Sequence, residues 1–165
     1  MNKKKILIID DEVDIANNIK AILSDENYNT SIALNSKDAL QQLSDNNYSL
    51  IILDVWLTNS DLDGIEILKK LRETSLTPVI IISGHGNIEM AVKAIKEGAN
   101  EFIEKPFTTE RLLLSVSRSI ELYEIKSENE RLKQENIYDY KFIGESLAIN
   151  KVRNLIKKVA PTTSR

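Results

Sequence analysis

Three short aliphatic runs constrain the fold of this chain more than any other feature of its sequence. They are Ile6–Ile9, Leu50–Leu53 and Val79–Ile82, and none of them alternates with polar residues. A strand with this pattern is covered on both faces, as strands are in a parallel sheet. Two weaker runs, Tyr28–Leu34 and Asn100–Glu104, predict flanking strands.

Helical patterns alternate with these strands. Apolar residues recur at three- and four-residue spacing and predict four helices, over Val13–Ser24, Lys37–Leu43, Ile65–Leu71 and Ile88–Lys96. The predicted helix caps are Ser36, Asp63 and Asn87 at N-termini and Gly98 at a C-terminus. Strands that alternate with helices predict the α/β class, because right-handed crossovers place helices on both faces of a parallel sheet. Among the possible orders we expect a doubly wound five-stranded sheet in the flavodoxin-like order 2-1-3-4-5.

The fifth helix is predicted to be unusually long. It begins near Thr108, and neither proline nor glycine follows until Gly144. Beyond residue 120 its apolar spacing becomes that of a heptad, which predicts the seam of a parallel dimer at Leu122, Ile125, Asn129 and Leu132. Because the pattern covers about two heptads, a solvated helical linker remains an open alternative. We therefore expect a domain over 1–120, a helical linker over 121–140 and a separate segment over 141–165.

The composition excludes several classes of site. The chain has no cysteine, which excludes disulfides and thiolate metal sites, and its single histidine, His85, argues against zinc or triad chemistry. No apolar run approaches the ~18 residues of a membrane span. The run after Lys3–Lys5 is too short for a signal peptide. These features predict a soluble, cytoplasmic protein.

Polar side chains follow four of the predicted strands. Asp10 and Asp11 come after the first strand, and Asp54, Ser83 and Lys105 come after three others. Because the carboxyl ends of parallel strands meet at one edge of the sheet, we expect these side chains to converge. Neighbouring carboxylates repel one another unless a cation compensates them, and Mg²⁺ prefers oxygen ligands of this kind. The sequence therefore predicts a magnesium site beside a lysine.

Such a site could accept a phosphoryl group. A carboxylate is a competent nucleophile toward phosphorus, and the cation and the ammonium group would neutralise charge on the phosphoryl oxygens. Asp54 is the predicted nucleophile, since it ends a central strand alone. A Mg²⁺-dependent phosphohydrolase with an aspartyl-phosphate intermediate is an alternative. That class needs a second acid two residues after the nucleophile, where this chain has Trp56.

The motifs at these strand ends carry a family resemblance. Ile9–Glu12, Ile52–Asp54, Ile82–His85 and Glu104–Phe107 resemble the receiver domain of bacterial two-component response regulators, over about residues 4 to 120. The resemblance implies a phosphoacceptor switch, not an enzyme, and a sensor histidine kinase as its partner. The site residues that it implies are the phosphoacceptor Asp54, Mg²⁺ ligands at Asp10, Asp11, Asp54 and the main-chain carbonyl of Trp56, phosphoryl contacts at Ser83 and Lys105, an aromatic switch residue at Phe102 and a cis peptide bond before Pro106.

Two other segments refine the resemblance. The loop from Asp54 to Gly64 lacks the family's usual proline, is about two residues longer, and looks like that of the NtrX branch of NtrC-type regulators. The segment from Phe142 to Ser164 resembles the start of a sigma-54-interacting AAA+ domain, although the chain contains no phosphate-binding G-x-x-x-x-G-K-[ST] motif. We therefore expect a homodimeric regulator that stops at the start of its AAA+ domain. The intact relative would engage ATP, sigma-54 RNA polymerase and DNA, without a membrane. A pseudo-receiver that dimerises without phosphorylation remains an alternative.

Overall fold

The described residues form five strands and five helices in strict alternation. A computed structural model describes residues 3–58, 60–84 and 88–139, with side chains through residue 133. The elements are β1 Lys5–Ile9, α1 Val13–Asp25, β2 Asn29–Ala33, α2 Ser36–Asp45, β3 Leu50–Asp54, α3 Gly64–Arg72, β4 Val79–Ser83, α4 Ile88–Lys96, β5 Glu101–Glu104 and α5 Thr109–Asp139.

The strands form one parallel sheet in the order β2-β1-β3-β4-β5, which confirms the predicted fold class and order. In register, Ile9 lies opposite Leu53, Asp54 opposite Ile82, and Ser83 opposite Glu104. The carboxyl ends of β1, β3, β4 and β5 are therefore nearly level, and the residues that follow them meet at one edge.

Each face of the sheet carries its own hydrophobic core. Leu7, Ile51 and Leu53 pack in one cluster with residues of α3, whereas Ile8 and Ile52 pack in the other with residues of α1 and α5. Successive residues of the inner strands thus pack in opposite cores. This explains why the inner runs lack polar alternation.

The helix caps match the predictions in part. Asp63 and Glu66 form a reciprocal capping box at the start of α3, with bonds of 2.8 and 2.9 Å, and Gly98 ends α4 with φ +98°. The prediction of Ser36 as an N-cap is wrong. Asn35 caps α2, because its Oδ1 atom accepts a 2.9 Å bond from the Asp38 amide, while Ser36 lies in the first turn. Asn87 and His85 lie outside the described residues.

The apolar residues of helix α5 are buried near its start and exposed farther along. Leu112, Val116 and Ile120 are buried in the core, and the residues of the predicted seam beyond them are exposed. The chain divides into two compact units after Ile125, within α5. None of the described helices is long and apolar enough to cross a bilayer. The predicted AAA+ segment over 141–165 lies outside the described residues.

Candidate functional site

A cluster of carboxylates lies at the carboxyl edge of the sheet. Asp10 follows β1 and Asp54 ends β3, and their exposed fractions are only 2% and 4%. Glu12, which is exposed, joins them, and carboxylate oxygens of all three residues lie within 4.8 Å of one another. The pairing of β1 with β3 produces this cluster, because it sets the two strand ends side by side.

Lys105 closes the cluster from the end of β5. Its Nζ atom donates hydrogen bonds to Asp54 Oδ2 at 2.6 Å, to Asp10 Oδ2 at 2.9 Å and to Glu12 Oε1 at 3.4 Å. Burial alone lowers the pKa of Lys105, but the bonds with Asp54 and Asp10 outweigh it and raise that pKa above its usual value. The lysine is therefore a fixed positive charge in the pocket.

The carboxylates outnumber this lysine. Burial raises the pKa of Asp10, although its bonds with Lys105 and with the backbone amide of Glu12, at 2.9 Å, oppose the rise. Three carboxylates against one ammonium group leave an excess of two negative charges when all are ionised. A divalent cation with a preference for oxygen ligands matches that donor set, so the residues present fit Mg²⁺.

Asp11 does not lie in this cluster. Its Oδ2 atom accepts a 3.0 Å hydrogen bond from the backbone amide of Thr58 and a second bond from the Thr58 hydroxyl. The structure thus groups Glu12, instead of Asp11, with Asp10 and Asp54. Glu12 was not among the predicted site residues, although a run of three acidic residues after β1 was the available signal.

The loop between β3 and α3 is tied to the site through its backbone. The Trp56 amide donates to Asp54 Oδ1 at 3.2 Å, and the Gly64 amide donates to the Val55 carbonyl at 2.9 Å. Leu57 is buried in the core, whereas Trp56 is 52% exposed. Both ends of the loop are therefore bonded to the residues at the end of β3, where Asp54 lies.

The other predicted phosphoryl and switch residues lie on β4 and β5. Ser83 is fully buried at the end of β4, and its carbonyl accepts a 2.8 Å bond from the Lys105 amide. Phe102 is partly buried and packs against the core on the α3 face of the sheet. The peptide bond between Lys105 and Pro106 is cis.

The predicted dimer seam is exposed on α5. Leu122, Ile125 and Leu132 have exposed fractions of 56%, 58% and 46%, and Asn129 is exposed as well.

Comparison with known proteins identifies the family. The family model described as "Response regulator receiver domain" matches residues 6–117. A response regulator named NtrX-like from Rickettsia bellii is 45% identical over 97% of this chain, and the nitrogen assimilation regulatory protein NtrX of Azorhizobium caulinodans is 44% identical over 97%. The chain covers only 34% and 35% of the lengths of these two relatives.

Solved structures of similar proteins support the same family assignment. The crystal structure of NtrX from Brucella abortus has 43% identity and a TM-score of 0.77, covering 99% of this chain and 36% of that one. The isolated receiver domain of NtrX from the same organism has 47% identity and a TM-score of 0.68, covering 70% of this chain and 98% of that one. The fold, the acidic cluster with its lysine, and these matches lead to one conclusion: the chain belongs to the response regulator receiver domain family.

Proposed function

We propose that this chain is a phosphorylation-dependent switch that accepts a phosphoryl group on Asp54 from a sensor histidine kinase in the presence of Mg²⁺. The observation that carries the proposal is the contact of one lysine with three carboxylates at a single sheet edge. Asp10 and Asp54 would hold the cation, together with Asp11 and the main-chain carbonyl of Trp56 as the family resemblance implies. When bound, Mg²⁺ supplies positive charge next to the phosphoryl oxygens.

Asp54, Lys105 and Ser83 each have a different role in the transfer of the phosphoryl group. The Asp54 carboxylate attacks phosphorus, the new oxygen–phosphorus bond forms as the phosphorus–nitrogen bond to the donor histidine breaks, and that imidazole leaves with a proton. Lys105, at 2.6 Å from Asp54 Oδ2, offers the ammonium charge that the transferred group needs. Ser83 donates its hydroxyl hydrogen bond to the phosphoryl group after transfer.

The added charge would be transmitted through β4 and β5. Movement of Ser83 toward the phosphoryl group lets Phe102 turn toward the vacated space, and the surface formed by α4, β5 and α5 changes as a result. That surface already exposes Ile88, Val92 and Ile95 on α4, with exposed fractions of 84%, 46% and 48%. Apolar side chains at this spacing form one stripe, which suits a contact that phosphorylation controls.

The output would be control of pairing through α5 and, in the longer protein, of a sigma-54-dependent activation module. The named NtrX relatives are about three times as long as this chain, which leaves room for such a module. An exposed asparagine at an a position would favour a parallel two-stranded register. Asn129→Leu is therefore expected to shift the oligomeric state in sizing experiments, and an unchanged state would argue that the seam is unused.

Intact-mass measurement tests the phosphoryl transfer. Incubation of the chain with acetyl phosphate and Mg²⁺ is expected to give a stoichiometric phosphoryl adduct that Asp54→Asn lacks. Asp14→Asn removes an exposed carboxylate of α1 and serves as the matched control, which should label as the wild type does. The adduct is expected to be long-lived, because Trp56 occupies the position that supplies an acid in the hydrolases. A half-life of seconds would favour the phosphohydrolase, and an absent adduct would favour the pseudo-receiver.

A further inference from the structure

A single residue of the β3–α3 loop holds Asp11. The backbone amide and the hydroxyl of Thr58 both donate to the same oxygen, Asp11 Oδ2, with the amide at 3.0 Å. The two residues are 47 positions apart in sequence, so the fold creates the contact. Two donors on one oxygen fix the direction of a carboxylate that is otherwise at the surface.

The consecutive residues Asp10 and Asp11 have different hydrogen-bond partners. Asp10 accepts from Lys105 and contributes to the acidic cluster, whereas the cluster found among the described residues does not include Asp11. The family resemblance implies that both residues ligate Mg²⁺. For Asp11 to do so, its carboxylate has to approach Asp10 and Asp54, and the bonds from Thr58 oppose that approach.

We propose that Thr58 is a positioning residue that holds the Asp11 carboxylate off the acidic cluster and so opposes its use as a Mg²⁺ ligand. Mg²⁺ binding then draws Asp11 away from Thr58 and releases the β3–α3 loop at residue 58. The inference rests on the proposed function, since it requires that the cluster binds Mg²⁺. Linkage makes the effect reciprocal, so weakening the Thr58 contact tightens cation binding by the same free energy.

Two substitutions at Thr58 separate its hydroxyl from its other properties. Thr58→Val has a similar volume and keeps the backbone amide but loses the hydroxyl donor, whereas Thr58→Ser keeps that donor and is the matched control. Thr58 is exposed, so neither change disturbs the core. A hydrogen bond to a charged group predicts that Thr58→Val lowers the Mg²⁺ dissociation constant about tenfold. Thr58→Ser should bind as the wild type does, by calorimetry and by fluorescence of Trp56, the only tryptophan of the chain.

Amide hydrogen exchange gives a readout that a purely structural role would not move. Saturating Mg²⁺ is expected to accelerate exchange at the Thr58 amide of the wild type. The amides of Val55 and Gly64, which donate to the carbonyls of Ile82 and Val55, should remain protected and serve as internal controls.

The outcomes distinguish this inference from the function on which it rests. If the wild type binds Mg²⁺ but Thr58→Val binds it equally or more weakly, Thr58 does not hold Asp11 off the cluster. Continued protection of the Thr58 amide at saturating Mg²⁺ would overturn the inference as well, with the proposed function intact. No Mg²⁺ binding by the wild type in calorimetry would overturn both.

Discussion

Gly64 is the position at which one methyl group should damage both stability and phosphoryl acceptance. A Cβ atom there would lie 2.1 Å from the Asp54 carbonyl oxygen and 2.9 Å from Val55 Cα. To reach an ordinary contact of 3.4 Å, the first pair must separate by about 1.3 Å. Both partners are backbone atoms, and the Gly64 amide also donates to the Val55 carbonyl at 2.9 Å, so the strain cannot be relieved by a side-chain rotation.

The expected cost follows from these contacts. Overpacking of this kind costs about 1–3 kcal/mol, and loss of the Gly64 hydrogen bond adds about 1 kcal/mol. Alanine recovers about 0.4–1 kcal/mol through lower entropy of the unfolded chain. Gly64→Ala is therefore expected to lower the free energy of unfolding by about 1–4 kcal/mol. Because Asp54 moves with its carbonyl, labelling by acetyl phosphate should slow by up to about a hundredfold.

Urea unfolding followed by circular dichroism measures the first effect, and the rate of adduct formation measures the second. Gly84→Ala is the matched control, because among the described residues its Cβ would meet only the Lys105 Cδ atom, at an ordinary 3.9 Å. It should stay within about 0.5 kcal/mol of the wild type. If Gly64→Ala were as stable as Gly84→Ala, the reasoning from close approach would be refuted.

Four further substitutions test the electrostatics of the site and the corrected helix cap. Lys105→Met leaves Asp10 and Asp54 buried without their ammonium partner, so without Mg²⁺ it should cost about 3 kcal/mol in urea unfolding near neutral pH, and Mg²⁺ should restore part of that. Equal stability would contradict the pairing. Burial raises the pKa of Asp10 above 3.8, so its ionisation lowers the stability of the folded state as the pH rises past the unfolded-state value. Without Mg²⁺, Asp10→Asn should therefore be more stable than the wild type near neutral pH. In urea unfolding below the usual pKa of an aspartate, the difference in stability should vanish. Asn35→Ala should destabilise α2 by about 1 kcal/mol and Ser36→Ala by less, and thermal unfolding that showed the reverse order would restore Ser36 as the cap.

The sheet was predictable because its inner strands are covered on both faces. Apolar runs without alternation indicate such strands directly, and the strand order follows from the crossover rules together with one choice among the known doubly wound orders. The meeting of Asp10 and Asp54 with Lys105 follows from the same geometry, since each of them lies at a strand end.

Three other features depend on side-chain contacts that the spacing of apolar residues does not predict. Thr58 reaches Asp11 because of the path of a nine-residue connection between β3 and α3, and only the folded backbone fixes that path. Glu12 joins the cluster because its side chain reaches back toward Lys105. Asn35 and Ser36 are adjacent residues of nearly equal capping strength, so propensity alone could not decide between them.

The same connection also supports a neighbouring helix. The Ser36 amide in the first turn of α2 donates to the Ser60 hydroxyl at 3.1 Å, so the stretch beside Asp54 satisfies a donor of α2 that has no partner within its own helix. Replacing the β3–α3 connection with a shorter one from another receiver would remove the Ser60 hydroxyl that accepts this bond from α2. Such a chimera would require a compensating hydroxyl or amide beside α2, and the two segments are best exchanged as one cassette.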